Sequence, residues 1–298
     1  MKEVEVKFEE VIMGFGTLSG ETGIIVSVKP DPNSQDSDEW ETLLIQEVSF
    51  EDGSLRQIKE VNLSGKLDLI GGKLLQSFPL ADGRMLLTVS VMEGHYDEET
   101  FALQGYVISS EEVTSVFALE YDGANEAPLV ASLDSDLYVH AGSSLRKLGL
   151  DQLDVEPVES EWPEKTVKYD TLVGWSGKLY GLQEVSKEED QIEKAYVYDV
   201  GTKKGDWKDI KEDPKEGCRP GIPWHESNGL FAQSGSVLYA VCRGGLWKLD
   251  LGPGPDALAW EQTSIKLPEE PAYLAAGHED RLWLASKKEE GFLISQLL

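Results

Sequence analysis

Short apolar runs, each preceded by a tight turn, recur along the whole chain. The turns contain glycine, aspartate or serine, and each following run carries a pair of apolar or aromatic residues. The pairs are Ile24-Ile25, Met85-Leu86, Leu137-Tyr138, Leu179-Tyr180, Leu238-Tyr239 and Leu282-Trp283. They recur roughly every 50 residues, which suits a propeller blade of four short strands. The pattern therefore predicts an all-β fold, a six-bladed β-propeller with four-stranded blades.

The segments between these pairs supply the remaining strands. Segment 57–61 alternates polar and apolar residues, as a half-exposed fourth strand does. Third strands are predicted at 43–45, 103–107, 145–148, 195–198, 246–249 and 292–294. No long window shows the apolar period of about 3.6 residues that marks a helix. Strands are therefore expected throughout.

The two ends of the chain complement each other. Residues 3–8 alternate charged and apolar side chains like a strand, and the last copy of the repeat ends after its third strand. If the two segments pair, the N-terminal strand becomes the outer strand of the last blade and closes the ring. Closure removes sheet edges that would otherwise need protection. We therefore expect residues 1–298 to form one propeller domain closed by the N-terminal strand.

Two of the predicted blades share a further pattern of aromatic, glycine and aspartate residues. Its elements are Leu179-Tyr180, Tyr196-Val197-Tyr198-Asp199 and Trp207 in one blade, and Leu238-Tyr239, Gly244-Gly245-Leu246-Trp247, Leu249-Asp250 and Trp260 in the next. These two segments resemble the kelch repeat, and the other blades match it by spacing. The resemblance implies a propeller. It also implies protein binding, which is what most kelch proteins do, while a minority are enzymes or bind sugars.

The charge of the chain narrows the choice of partner. With 55 acidic residues against 27 Lys and Arg, the net charge is −28. A field of this sign repels nucleic acid phosphates and anionic membranes and attracts basic partners. The first seven residues alternate charge and valine without the apolar core of a signal peptide, so a cytoplasmic location is expected. Cys218 and Cys242 are too few for a disulfide framework or a zinc site, and whether they are bonded is left open.

A candidate partner-binding surface lies on the predicted loops of one face. The loops between second and third strands, at 30–41, 94–100, 186–193 and 287–291, are long and acidic. An irregular segment, 213–228, is expected on the same face and adds a cation, an aromatic plate and a titratable ring, the residue types found at the energetic centres of interfaces. The candidate partner-binding residues are Arg219, Trp224, His225, Trp40, Tyr96, Trp162, Tyr169, Asp97, Glu188 and Glu189.

Known catalytic motifs are missing from the sequence. The four histidines are not at metal-ligand spacing, and neither a nucleophile elbow nor a glycine-rich phosphate loop is present. No catalytic residue, metal or cofactor is therefore assigned. The sequence favours a monomeric, non-enzymatic scaffold that recognises a basic protein partner through its acidic loop face. Two alternatives remain: a lectin-like propeller with Trp and Tyr stacked on sugars, and an enzyme with its pocket at the channel mouth. Clustering of His140 or His225 with carboxylates around that mouth would favour the enzyme.

Overall fold

The computed structural model describes most of the strands and several of the hairpin turns between them. The described residues are 2–7, 11–29, 42–63, 66–67, 75–80, 83–93, 100–121, 128–134, 136–141, 144–149, 155–157, 171–186, 191–211, 231–242, 245–268, 271–277, 281–289 and 291–298. No helix in these ranges is long and apolar enough to cross a membrane.

The described strands form six antiparallel sheets. Sheet 6 begins with β1 (Glu3–Lys7). Sheet 1 contains β2 (Val11–Thr17), β3 (Thr22–Lys29), β4 (Thr42–Ser49) and β5 (Leu55–Asn62), and sheet 2 contains β6 (Lys66–Leu67), β7 (Leu75–Pro79), β8 (Met85–Glu93), β9 (Thr100–Ile108) and β10 (Val113–Tyr121). Sheet 3 contains β11 (Leu129–Leu133), β12 (Asp136–Ala141), β13 (Ser144–Gly149) and β14 (Val155–Pro157), and sheet 4 contains β15 (Thr171–Trp175), β16 (Lys178–Ser186), β17 (Gln191–Asp199) and β18 (Lys204–Asp209). Sheet 5 contains β19 (Phe231–Ser234), β20 (Val237–Cys242), β21 (Gly245–Asp250) and β22 (Trp260–Lys266), and sheet 6 is completed by β23 (Pro271–Ala276), β24 (Leu282–Lys288) and β25 (Gly291–Gln296).

The fold is a six-bladed β-propeller, as predicted. Each predicted second and third strand lies at its expected place in a sheet. In sheet 2, β6 and β7 both pair with β8, and residues 68–74 between them lie outside the described residues. The one described helix is a single 3-10 turn, Pro255–Ala257, in the connection between β21 and β22.

The chain divides into two compact units. One consists of Met1–Ala127, His225–Ala232 and Pro268–Leu298, and the other of Pro128–Trp224 and Gln233–Leu267. Unit 1 therefore contains sheets 1, 2 and 6. Unit 2 contains sheets 3 and 4 and most of sheet 5. The expectation that residues 1–298 behave as a single domain stays a prediction.

The predicted closure by the N-terminal strand is confirmed. β1 is the outer strand of sheet 6 and pairs antiparallel with β25, with Val4 opposite Ile294. The amide of Gln296 continues this ladder by donating to the carbonyl of Lys2 at 2.9 Å. Val4 and Val6 are buried in the apolar cluster that joins sheets 1 and 6. The alternation seen in the sequence therefore buries the valines and exposes the charged residues between them.

Hairpin turns fix the register of the sheets. Ser176 and Gly177 connect β15 to β16 with φ values of 50° and 73°. Two successive positive φ values characterise the type I′ turn, whose twist matches that of the strands it joins. An aspartate at the end of the third strand also stabilises the turn that leads to the fourth strand in sheets 4 and 5. The carboxylate of Asp199 accepts a hydrogen bond from the amide of Thr202 at 2.8 Å, and that of Asp250 accepts one from the amide of Gly252 at 2.8 Å.

Candidate functional site

Every sheet has two ends that differ in the connections they carry. Consecutive strands are antiparallel, so the connection from second to third strand leaves at the end where the inner strand begins. We call this the connection end, and the other, with the turns described above, the hairpin end. In sheets 1, 2 and 4 the connections at this end join β3 to β4, β8 to β9 and β16 to β17, as predicted from the sequence.

The predicted partner-binding surface lies outside the described residues. This applies to all ten of its members: Arg219, Trp224, His225, Trp40, Tyr96, Trp162, Tyr169, Asp97, Glu188 and Glu189. The surface therefore stays a prediction. The described residues at the connection ends supply the geometry of the candidate site.

The inner strands of unit 1 are irregular near the connection end. In sheet 1 the register between β2 and β3 shifts between Ile12 and Gly14. In sheet 6 the register between β23 and β24 shifts between Pro271 and Tyr273. Such bulges redirect side chains, and they are over-represented beside active sites and at the rims of barrels.

An aromatic pair lies next to the bulge of sheet 6. The rings of Tyr273 and Phe292 are 6.2 Å apart, with an interplanar angle of 48°. Both are half-buried against the apolar cluster of sheets 1 and 6. Burial raises the pKa of Tyr273 to about 12, so its hydroxyl stays protonated and can donate a hydrogen bond at any physiological pH.

A second aromatic pair is part of the core. Phe101 and Tyr121 lie opposite each other at the connection end of sheet 2, with ring centroids 5.9 Å apart. Both side chains are buried. Among the described aromatic pairs at connection ends, Tyr273 and Phe292 therefore offer the more accessible surface.

The resolved pKa shifts do not single out a general acid among the described carboxyl groups. Among the described carboxyl groups with a shifted pKa, each has its pKa lowered: Asp52 by the amide of Ser54, Asp199 by the amide of Thr202, and Asp256 by Lys208. A carboxyl group that acts as an acid near neutral pH needs a raised pKa instead. In the described part of the chain, no group of three or more His, Cys, Asp and Glu could hold a metal ion.

His140, whose clustering with carboxylates at the channel mouth would favour the enzyme alternative, is a buried side chain. It lies on β12 opposite Leu129 and Leu145 and is 5% exposed. Its cross-strand neighbours on both sides are leucines. His225, the other candidate of that alternative, lies outside the described residues.

No protein-family model and no curated protein matches the chain. Solved structures match it along their whole length. The GH93 α-L-arabinofuranosidase of Fusarium graminearum, in complex with arabinobiose, has a TM-score of 0.59 at 12% identity, over 99% of this chain and 97% of the other. The α-L-arabinanase of Penicillium chrysogenum, also with arabinobiose, has a TM-score of 0.57 at 11% identity, over 100% and 98%. The major allergen Mala s 1 of Malassezia sympodialis has a TM-score of 0.55 at 11% identity, over 100% and 96%.

These comparisons establish the propeller fold and correct the functional prediction. The prediction of a non-enzymatic scaffold for a basic protein partner is wrong, because two of the structures that match over nearly the full length are an α-L-arabinofuranosidase and an α-L-arabinanase. The physical reason for the error is that net charge reports solubility and long-range attraction, not the chemistry of a site. Sequence reasoning also missed Tyr273, because Tyr273-Leu274 reads as an ordinary core strand and the bulge beside it depends on pairing with β24.

Proposed function

We propose that the protein recognises a carbohydrate at the connection end of its sheets, with Tyr273 and Phe292 contributing to the binding surface. The observation that carries the proposal is this half-buried aromatic pair beside an inner-strand bulge. The full-length likeness to two enzymes solved with arabinobiose supports it.

The chemistry of the pair suits a sugar. Aromatic rings offer a flat apolar surface with a polar handle, and a tyrosine hydroxyl usually finds a hydrogen-bond partner when it is buried. Ligand sites combine an apolar lining with a few well-placed polar groups. The Phe292 ring supplies an apolar surface, and the protonated hydroxyl of Tyr273 supplies a polar group beside it.

Glycoside hydrolysis is the second candidate, supported by the same comparison. Hydrolysis usually needs a pair of carboxyl groups, one of them a general acid with a raised pKa. The pKa values of Asp52, Asp199 and Asp256 are lowered, so none of these three carboxyl groups is assigned as the acid.

Binding and hydrolysis can be tested separately. A glycan array identifies the sugar class, and calorimetric titration with arabinobiose is the first defined probe. Tyr273→Ala is expected to weaken sugar binding about tenfold, equivalent to about 1.4 kcal/mol. Tyr180→Phe, which alters a fully buried tyrosine of unit 2, is the control and should bind normally. An array without hits and no release of reducing sugar from any arabinan or xylan would reject the proposal.

The kelch relation is also a proposal. It is supported by the edge-on contact of Tyr196 and Trp207, whose ring centroids are 5.3 Å apart at an interplanar angle of 63°. In sheet 5, Trp260 instead lies opposite Leu249. Homologous sequences in which Tyr196 and Trp207 vary independently would count against it. The cytoplasmic location and the monomeric state stay predictions, and light scattering tests the latter.

A further inference from the structure

The aromatic pair of sheet 6 meets across a strand that lies between its two members. Tyr273 belongs to β23 and Phe292 to β25, and β24 runs between them. The residue of β24 that pairs with Tyr273 is Ala285, which is 3% exposed. Because the alanine methyl group is small, the two rings reach each other over it, with centroids 6.2 Å apart. The rings therefore form one apolar surface across three strands.

Lys287 borders this aromatic surface. It lies on β24 directly opposite Phe292, two residues beyond Ala285. Residues two apart on a strand share a face of the sheet, and the Cβ atoms of directly opposite residues are about 4.5–5.5 Å apart. Lys287 therefore shares a face with Tyr273 and Phe292 and is an immediate neighbour of Phe292. Its side chain is exposed.

The face that carries the aromatic pair has a single charged strand residue. The structure describes all four strands of sheet 6, and their register assigns each paired residue to a face. The other charged strand residues pair in the rows of Gly291, Leu293 and Ser295 and belong to the opposite face: Glu3, Glu5, Lys7 and Lys288. A ligand on the aromatic pair therefore meets the ammonium group of Lys287 and no strand carboxylate.

Three strand lysines of unit 2 have a different environment. Lys178, Lys194 and Lys248 each lie directly opposite a carboxylate residue. The ion pairs are Lys178–Asp199 at 3.2 Å, Lys194–Asp209 at 3.2 Å and Lys248–Glu261 at 3.0 Å. There the cross-strand neighbour balances the lysine charge. At Lys287 the cross-strand neighbour is an aromatic ring, which suits contact with a ligand.

We propose that the carbohydrate bound at this surface carries a carboxylate, as a uronic acid does. This proposal rests on the carbohydrate site proposed above and names its substrate class. The apolar C–H face of the sugar ring packs on Tyr273 and Phe292, and the ammonium group of Lys287 donates a hydrogen bond to the carboxylate. The flexible four-carbon stem of lysine lets that group extend beyond the rings. A hydrogen bond between charged partners is roughly twice as strong as one between neutral groups.

The net charge of −28 acts on the approach of an anion more than on its bound state. At physiological ionic strength, exposed charges farther apart than about 8 Å are largely screened from each other. The acidic residues distributed over the chain therefore slow the encounter, whereas Lys287 acts on the bound sugar at contact distance. The selectivity for an acidic sugar is accordingly expected in the equilibrium affinity.

A glycan array tests the substrate class. It is printed with uronate oligosaccharides and their carboxyl-reduced counterparts, so the members of each pair differ only in the charged group. Calorimetric titration of the strongest pair should give an affinity about fivefold higher for the acidic member. Equal affinities, or tighter binding of the neutral member, would overturn this proposal and leave the carbohydrate function standing. If no pair binds and arabinobiose does not bind either, both proposals are overturned.

Two lysine variants test the role of Lys287. Lys287→Gln keeps a polar side chain and removes the charge, so the affinity ratio of acidic to neutral sugar should fall to about one. Lys288→Gln is the matched control, since it removes the same charge one residue along the strand, on the opposite face. It should keep the wild-type ratio. Both lysines are exposed, so neither change should affect folding.

Tyr273→Ala separates the aromatic contribution from the charge. It removes a contact that both sugars share, so it should weaken the binding of the acidic and the neutral member alike. The role assigned to Lys287 is overturned if Lys287→Gln leaves the ratio unchanged, or if both lysine variants lower it equally.

Discussion

Phe50 stacks on Trp283 with ring centroids 4.0 Å apart and an interplanar angle of 27°. Phe50 belongs to the turn between β4 and β5 of sheet 1, and Trp283 to the second strand of sheet 6. The stack therefore joins two sheets at the place where the N-terminal strand closes the ring. Val4 and Val6 of that strand belong to the same cluster.

The first prediction concerns Trp283. Its side chain is fully buried, and its indole N–H has no protein partner. Trp283→Phe keeps a stacking ring and removes an unpaired donor, so it should cost little stability. Trp283→Ala removes the ring and should lower the free energy of unfolding by about 3–5 kcal/mol. Denaturant titration checks both, and equal losses in the two variants would contradict the importance of the stack.

The second prediction concerns the turn that holds β1. Gly53 has a φ of 74°, and a Cβ atom at this position would meet the carbonyl oxygen of Glu5. Gly53→Ala therefore combines backbone strain with a collision against the closing strand. Hydrogen exchange should show faster exchange at the amides of Val4 and Val6, together with a lower unfolding midpoint.

Gly83→Ala separates the two contributions. Gly83 has a φ of 84°, but a Cβ atom there has nothing within 4 Å. This variant should cost only the strain of a left-handed residue, roughly 1–2 kcal/mol. If both glycine variants lose the same stability and β1 keeps its protection, the contact with Glu5 is not limiting.

The third prediction follows from the titration of Tyr273. Burial raises its pKa to about 12, above the ordinary value of 10.0. Between pH 10 and 12 the unfolded chain loses this proton and the folded chain keeps it. The titration of Tyr273 therefore leaves the free energy of unfolding unchanged below pH 10. As the pH rises above 10, this titration lowers the free energy of unfolding by at most about 2–3 kcal/mol. In the Tyr273→Phe variant, the free energy of unfolding should fall less steeply with pH in this window, as pH-dependent denaturant titration would measure.

The remaining slope in that variant has a known origin. Burial also raises the pKa of Tyr106, Tyr138 and Tyr180. Tyr273→Phe should therefore reduce the alkaline loss without abolishing it. Identical pH profiles for the variant and the wild type would show that Tyr273 titrates normally.

The fourth prediction concerns acid. The amide and hydroxyl of Thr202, together with Lys178, hold the pKa of Asp199 below its usual 3.8. The stabilising effect of the Asp199 carboxylate is present above pH 3.8 and disappears as the pH falls through the lowered pKa. Asp199→Asn should therefore flatten the acid limb of the stability profile. Glu21→Gln, an exposed carboxylate in another turn, is the control, and an equal effect of both changes would contradict a specific role for Asp199.

The strands were predictable because their side chains alternate in the sequence. The pairs Leu179-Tyr180 and Leu238-Tyr239 each follow a turn and indicate second strands. Ser176-Gly177 has the residues that a two-residue hairpin needs. The closing strand was predictable because Val4 and Val6 alternate with charged residues. These features are local, so a single sequence contains them.

The irregular inner strands were not predictable. Pro271 to Leu274 reads as continuous strand, and its bulge exists only in the pairing with β24. The preference for a protein scaffold failed for a related reason: it rested on loop charge, whereas sites form where side chains from distant segments converge.

Sheet 6 brings the beginning and the end of the fold into one hydrogen-bonded ladder, with the amide of Gln296 bonded to the carbonyl of Lys2. A short peptide linker between these positions would leave every strand in place. The chain could then be reopened at an exposed hairpin such as Gly83, giving a circular permutant in which β1 and β25 are covalently continuous. In such a protein the closing strand can no longer detach independently of the rest of its blade.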